Sequence, residues 1–335
     1  MSGSAEQGES GLRYSPGLDG LRALAILVVI IFHANPNVLV GGYIGVDLFF
    51  VLSAYLITSI LAEEFSANNS VNLPRFYLRR FLRLGPALLL MLAVYLLVAP
   101  FAWPGETHGR DALISALYLS DFTVAAGLGP DFLSHTWSLA IEEQFYLLWP
   151  FLLLPLMRSS RAVAWLAVAW AAMVAWRFGF EDWRVFYYRP DTHGTGLIAG
   201  ALLYFSGWRA NRWAGLAGLA IFTALCLTTE IKHSAWSIIA AEAAAVMMIA
   251  SVANTKWVET PMLVHLGKLS YGLYLWHYPI AVYLRTRYDF FVSTSFVLPL
   301  TYAAALISYH TVEAWGRRTK DRIGSGKSRE VAAMT

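Results

Sequence analysis

Apolar residues run through this chain in blocks of about twenty, separated by short polar joints. The blocks fall at about 18–36, 43–62, 84–103, 138–157, 162–178, 192–208, 213–229, 236–254, 269–285 and 290–312. About 20 apolar residues in a helix rising 1.5 Å per residue cover the hydrocarbon core of a bilayer, so the pattern predicts ten spanning helices. A further stretch, 111–126, is apolar but short and carries Asp111 and Asp121; it is expected as a re-entrant or interfacial helix. No segment alternates with a period of two and no Asn-Gly hairpin occurs, which argues against a membrane β-barrel. The expected fold class is all-α, a polytopic transmembrane bundle over 17–315. Polar stretches at 1–16 and 316–335 are expected as disordered tails, and no cleavable signal peptide is evident.

Composition strengthens this reading. Hydrophobic residues make up 57% of the chain and charged ones 14%, against about 25% charged in soluble domains. Charge placement then sets orientation, because Lys and Arg collect on the cytoplasmic side. With ten crossings and the N-terminus inside, the inner loops hold Arg75, Arg79, Arg80, Arg83, Arg158, Arg161, Arg209, Arg212, Lys256 and Lys268, and the basic C-terminal stretch is inside as well. Arg110, Arg177, Arg184, Arg189, Lys232, Arg285 and Arg287 are left outside. Both termini are therefore expected in the cytoplasm. The basic residues flank spans, so no nucleic-acid partner is suggested; the bilayer is the partner. The single cysteine, Cys226, lies in an apolar run and supports no disulfide framework. No phosphate-loop, dinucleotide or HExxH pattern is present, so neither a metal site nor a tightly bound cofactor is expected.

Ionisable groups within spans are costly and mark function. Arg22 opens the first span and His33 lies eleven residues later. Asp47 lies one turn into the second span, Glu142 and Glu143 in the first turns of the fourth, Glu242 in the eighth and His277 in the ninth. His33, Asp47 and one of the two glutamates could share one cavity, the carboxylate orienting an imidazole base. The alternatives are a packing role for either histidine, a cap for Asp47, an ion pair with an outer Arg for Glu142 or Glu143, and a structural role for Glu242, which has no visible partner. In PRFYLRRFLR, Arg80 and Arg83 are three apart and share a helix face. Their forks suit phosphate, and equally an anchor on anionic lipid.

Five blocks in order resemble the acyltransferase-3 family of multi-span membrane acyltransferases. LDGLRALAILVVIIFH resembles its Arg-x10-His signature, here Arg22 and His33. GGYIGVDLFFVLSAYLIT resembles the second-span motif, with Asp47 and Ser53. RRFLRLGPA resembles the Arg-x-x-Arg loop, here Arg80 and Arg83. HTWSLAIEEQFYLLWP matches a block with Trp137, Ser138, Glu142, Glu143 and Tyr146, and LSYGLYLWHYPI a late-span block with His277. The resemblance covers about 17–315. Ala54 stands where the family usually has Gly, and DTHGTG, from Asp191, has His193 and Thr195 where an Asp-Thr-Arg-x-Asp pattern is common.

The resemblance implies an O-acyltransferase of the stand-alone kind in a bacterial inner membrane, using acyl-CoA, most often acetyl-CoA, and a carbohydrate-containing acceptor. It implies His33 as base or acyl carrier, oriented by Asp47, Glu142 or Glu143, with Arg22, Arg80 and Arg83 on the donor's phosphates. Ser53, Trp137, Ser138, Tyr146, Asp191 and His277 are candidate substrate contacts. The rival reading is a proton-coupled transporter using the same buried His and carboxylates.

Overall fold

The computed structural model describes residues 14–322, and every regular element among them is helical. The expected tails at 1–13 and 323–335 lie outside the described residues. Residues 316–322, expected as tail, continue the last helix.

Each of the ten apolar blocks carries one long helix, some with a short helical turn beside it: α1 Pro16–Ala34, α2 Gly45–Asn68, α3 Leu73–Ala102, α4 Thr136–Met157, α5 Ala162–Arg177, α6 Thr195–Ser206, α7 Arg212–Thr228, α8 Ser234–Ala250, α9 Ser270–Arg287 and α10 Phe290–Ser308. Six helical stretches are long and apolar enough to cross a membrane: α1, α3, α4 and the stretches containing α2, α8 and α10. The other four are short, as in the 12-residue α6, or rich in polar and aromatic residues, as in α9. The 111–126 stretch is two short helices, His108–Ala116 and Ser120–Ala125, hinged where Tyr118 takes a left-handed φ of 54°. Gln144 of α4 donates to Asp121 Oδ2 at 3.0 Å and to the Tyr118 carbonyl at 3.1 Å, tying the hinge to the bundle.

The bundle is arranged around α2, which packs against α1, α4, α6 and α8. Lipid offers no hydrophobic drive for helix association, so close backbone approach at small residues takes its place. At Gly200 of α6 a Cβ would lie 2.2 Å from the Val51 carbonyl oxygen of α2. The outside of the bundle stays apolar: Leu97 and Phe101 on α3 are 71% and 85% exposed, as expected of a surface solvated by acyl chains.

Candidate active site

Eleven residues of α-helix turn about 1100°, three turns and roughly 20°, so Arg22 and His33 lie on one face of α1 about 16 Å apart. Arg22 lines a cavity of about 90 Å³ together with Ser53 of α2, Arg80 and Arg83 of α3, and Glu142 and Tyr146 of α4. Asp19 holds Arg22 at 2.9 Å and itself accepts from the Tyr14 hydroxyl at 2.8 Å. The Arg80 guanidinium lies over the Tyr146 ring, 3.7 Å from its centroid, where the charges of Glu143 and Glu142 act on it. The Tyr146 hydroxyl hydrogen-bonds Ser53. Arg80 is thus built into the wall, whereas Arg83 remains exposed.

Ser138 and Tyr274 line the same cavity, their hydroxyls 2.5 Å apart. Beyond Tyr274 begins a histidine cluster. His277 Nδ1 lies 2.6 Å from the Tyr274 carbonyl. A carbonyl only accepts, so Nδ1 carries the proton and neutral His277 presents a bare Nε2. That nitrogen lies 3.2 Å from His33 Nδ1, which also lies 3.0 Å from the Val29 carbonyl. His33 Nδ1 faces two acceptors and so carries its proton there. Its Nε2 is left as an unprotonated lone pair with no hydrogen bond among the described residues, and the side chain is half-buried. Arg285 Nη1 donates to the His33 carbonyl at 3.1 Å and fixes the end of α1.

Two further residues complete the cluster. Pro279 lacks an N–H, which strips the Leu275 carbonyl of its helical partner. His135 Nε2 donates to that carbonyl at 3.2 Å, and the His135 ring stacks on Tyr278, centroids 5.0 Å apart. Tyr278 packs edge-on to His33 at the same separation and accepts at its hydroxyl from Ser134 at 2.7 Å.

The expected carboxylate partner of His33 is absent from this arrangement. Asp47 Oδ1 lies 2.9 Å from His193 Nε2, both side chains fully buried, and His193 Nδ1 donates to the Tyr187 carbonyl at 2.5 Å. Trp137, expected at the substrate, stacks on His193 instead, centroids 5.2 Å apart. Glu142 and Glu143 stand beside Arg80 and not His33. Asp191 is half exposed and taken up by Arg189, at 2.9 and 2.6 Å, and by Trp176 at 2.9 Å. Glu242, for which the sequence showed no partner, accepts from Trp170 at 2.8 Å and from Thr195, with Arg177 at 3.9 Å. Arg177, counted among the outer loops, is fully buried.

Residues 15–310 match the profile of the acyltransferase-3 family, described as an acyltransferase domain. The chain belongs to that family. Among curated proteins it is similar to the peptidoglycan O-acetyltransferase OatA of Listeria monocytogenes, 34% identical over 311 residues, covering 80% of this chain and 49% of that protein. It is equally similar to the O-acetyltransferase OatA of Staphylococcus aureus, 34% identical over 316 residues, covering 82% of this chain and 52% of the relative. The chain spans about half the length of these relatives. No solved structure matches it.

Within this acyltransferase domain, His135 and Tyr278 are the cluster members that spacing did not single out. Both stand inside quoted family blocks, His135 opening HTWSLA and Tyr278 directly after His277, so a signal was present without a geometric reason to use it. Among the described residues no group of three or more His, Cys, Asp or Glu is arranged to hold a metal ion.

Proposed function

We propose that this acyltransferase domain moves an acetyl group from acetyl-CoA to a hydroxyl of a carbohydrate acceptor, as in the O-acetylation named for its relatives. The observation that carries the reading is the continuity of two sites. An arginine-lined cavity has Tyr274 in its wall, and Tyr274 is bonded through its carbonyl to the histidine whose Nε2 faces His33 Nδ1. With the chain as a ten-span protein of a bacterial cytoplasmic membrane, both termini inside, the cavity opens to the cytoplasm and His33 lies toward the outer face.

Arg22 and Arg83 hold the CoA phosphates, with Arg80 shaping the wall, and the pantetheine arm carries the thioester past Tyr274. His33 Nε2 removes the proton of the acceptor hydroxyl, whose oxygen forms a bond to the thioester carbon. Collapse of the tetrahedral intermediate breaks the carbon–sulfur bond, and the CoA thiolate takes the proton back from His33. In the two-step variant His33 Nε2 first takes the acetyl group, releasing CoA, and then passes it to the hydroxyl. In both, the His277 lone pair accepts from His33 Nδ1–H and steadies the charge that forms on the ring.

The test is transfer from radiolabelled acetyl-CoA to cell-wall oligosaccharides by protein reconstituted in vesicles. His33→Ala is expected to lower transfer by about 10²–10⁴-fold while the protein inserts and purifies as folded. Undiminished transfer in the variant removes His33 from the mechanism. Substrate uptake without ester formation in the wild type favours the transporter.

A further inference from the structure

The orientation expected from loop charge leaves Arg285 and Arg287 on the outer side, against the bias that sets it. Both stand in the last turn of α9, and both are exposed. Arg285 donates to the His33 carbonyl. Arg287 donates to the Ala102 carbonyl at the end of α3 and lies over the Tyr283 ring, 4.9 Å from its centroid. Neither forms an ion pair among the described residues. Asp289, two positions on, caps α10 by accepting from the Val292 N–H at 2.9 Å.

Beside Arg287 lies an apolar cavity of about 500 Å³, separate from the arginine-lined one. Its lining runs along α3 from Met91 to the cap Trp103, along α9 from Trp276 to the cap Tyr288, and along α10 from Val292 to Leu300. Twelve residues of helix rise about 18 Å, close to one leaflet of a hydrocarbon core about 30 Å thick. The cavity is open to the side: Val98 in its wall is 52% exposed. At the Arg287 end, Trp103 meets Tyr283 edge-on, centroids 6.1 Å apart, and stacks on Phe132 at 4.3 Å. Trp103 Nε1 is buried and has no hydrogen-bond partner among the described residues. An indole N–H only donates, and a buried donor left unpaired is costly.

Three demands therefore meet at one place. The channel calls for a hydrocarbon chain one leaflet long, the indole N–H for an acceptor, and the guanidinium beside it for an anion. In a glycerophospholipid the chain, the ester carbonyl and the phosphate follow one another in that order. An isoprenoid phosphate has no ester carbonyl to offer. A zwitterionic headgroup would bring its own ammonium against Arg285 and Arg287. We propose that this cavity binds one anionic glycerophospholipid, its phosphate on Arg287, an ester carbonyl accepting from Trp103 Nε1–H and one acyl chain lying between α3, α9 and α10. The inference does not depend on the acyl-donor reading. It makes a lipid part of the packing that holds α9, the helix that carries His277 and, through Arg285, the end of α1.

The experiment titrates dioleoyl phosphatidylglycerol onto the delipidated full chain in detergent and reads retained lipid by native mass spectrometry. One tightly held lipid is expected; no retained lipid in the wild type overturns the site. Arg287→Gln is expected to weaken retention about tenfold. Arg184→Gln, at an exposed arginine outside the lining, is expected to leave it unchanged. The ether-linked analogue, which lacks the ester carbonyl, is expected to bind the wild type several-fold more weakly than the diester, and Trp103→Phe to bind the two alike. Val98→Trp fills the open side and is expected to abolish retention at an unchanged unfolding temperature; should it fail to fold, the Arg287 and ester–ether arms decide alone. Equal loss in the Arg184 and Arg287 variants reduces the effect to general surface charge and overturns the site, as does full retention by folded Val98→Trp. Tighter retention of a polyprenyl phosphate, or no difference between ester and ether in the wild type, overturns the glycerophospholipid assignment.

Discussion

Asp47–His193 and His33–His277 are both buried or half-buried pairs of this bundle, and the one that looks more like a catalytic dyad is the sealed one. Asp47 and His193 are both fully buried, Trp137 covers the ring, and each ring nitrogen of His193 is already engaged. Such an imidazole has no lone pair to offer a substrate without breaking a buried contact. His33 and His277 lack a carboxylate, yet their chained hydrogen bonds leave one nitrogen bare. On the proposed reading, availability of a lone pair, and not the presence of a carboxylate, separates the reactive histidine from the structural one.

Each pair can be challenged by substitution. The heaviest loss is expected at the sealed pair: Asp47→Ala strands a buried histidine and should cost about 3–5 kcal/mol of stability, read by thermal unfolding in detergent. The folded fraction should keep its turnover within a few-fold. Loss of turnover at unchanged stability would reverse the roles assigned to the two pairs. A smaller effect is expected at the His33–His277 pair, where His277→Ala removes the acceptor for His33 Nδ1–H. Turnover should fall about 10- to 100-fold, the donor's KM should stay near the wild-type value, and His277→Gln, which can still accept, should recover part of the loss. A change confined to KM would make His277 a substrate contact.

The mildest change is expected at Asp191, the candidate outside both pairs. Burial acts to raise its carboxyl, but hydrogen bonds from Arg189 and Trp176 outweigh burial and hold it below the usual carboxylate range. A carboxyl lowered in the folded state adds stability above the unfolded carboxylate range, and that share is lost as pH falls through the lowered value. The pair is half exposed and screened, so Asp191→Asn should cost less than about 1 kcal/mol at pH 7. The difference should vanish in melting curves taken on the acid side. A marked loss of acetyl transfer in this variant would restore Asp191 to the substrate site.

Much of this was legible in the sequence, within a physical limit. Hydropathy found a helix under each of the ten apolar blocks, because burial in lipid demands length and apolarity from each helix separately. It did not settle how many of them cross. Periodicity put Arg22 and His33 on one face, since that relation lies within one helix. The family blocks held Ser53, Arg80, Arg83, Ser138, Glu142 and Tyr146, which line one cavity. Partnerships between helices were not legible. His33 meets His277 across 244 positions and Asp47 meets His193 across 146. These pairings depend on how uniformly apolar helices rotate against one another, which close contacts such as Gly200 on Val51 decide and hydropathy does not encode. The partners of Glu242 were hidden for the same reason.

The unbroken run of α1 from Arg22 to His33 bears on which donors the proposed transfer would accept. The segment contains no proline or glycine between the two residues, so it acts as a rigid gauge about 16 Å long. On the proposed reading, a donor anchored at Arg22 reacts at His33 only if its own arm covers that reach. Short thioesters fill either position but never both, and selection among donors becomes a matter of length before it is a matter of chemistry.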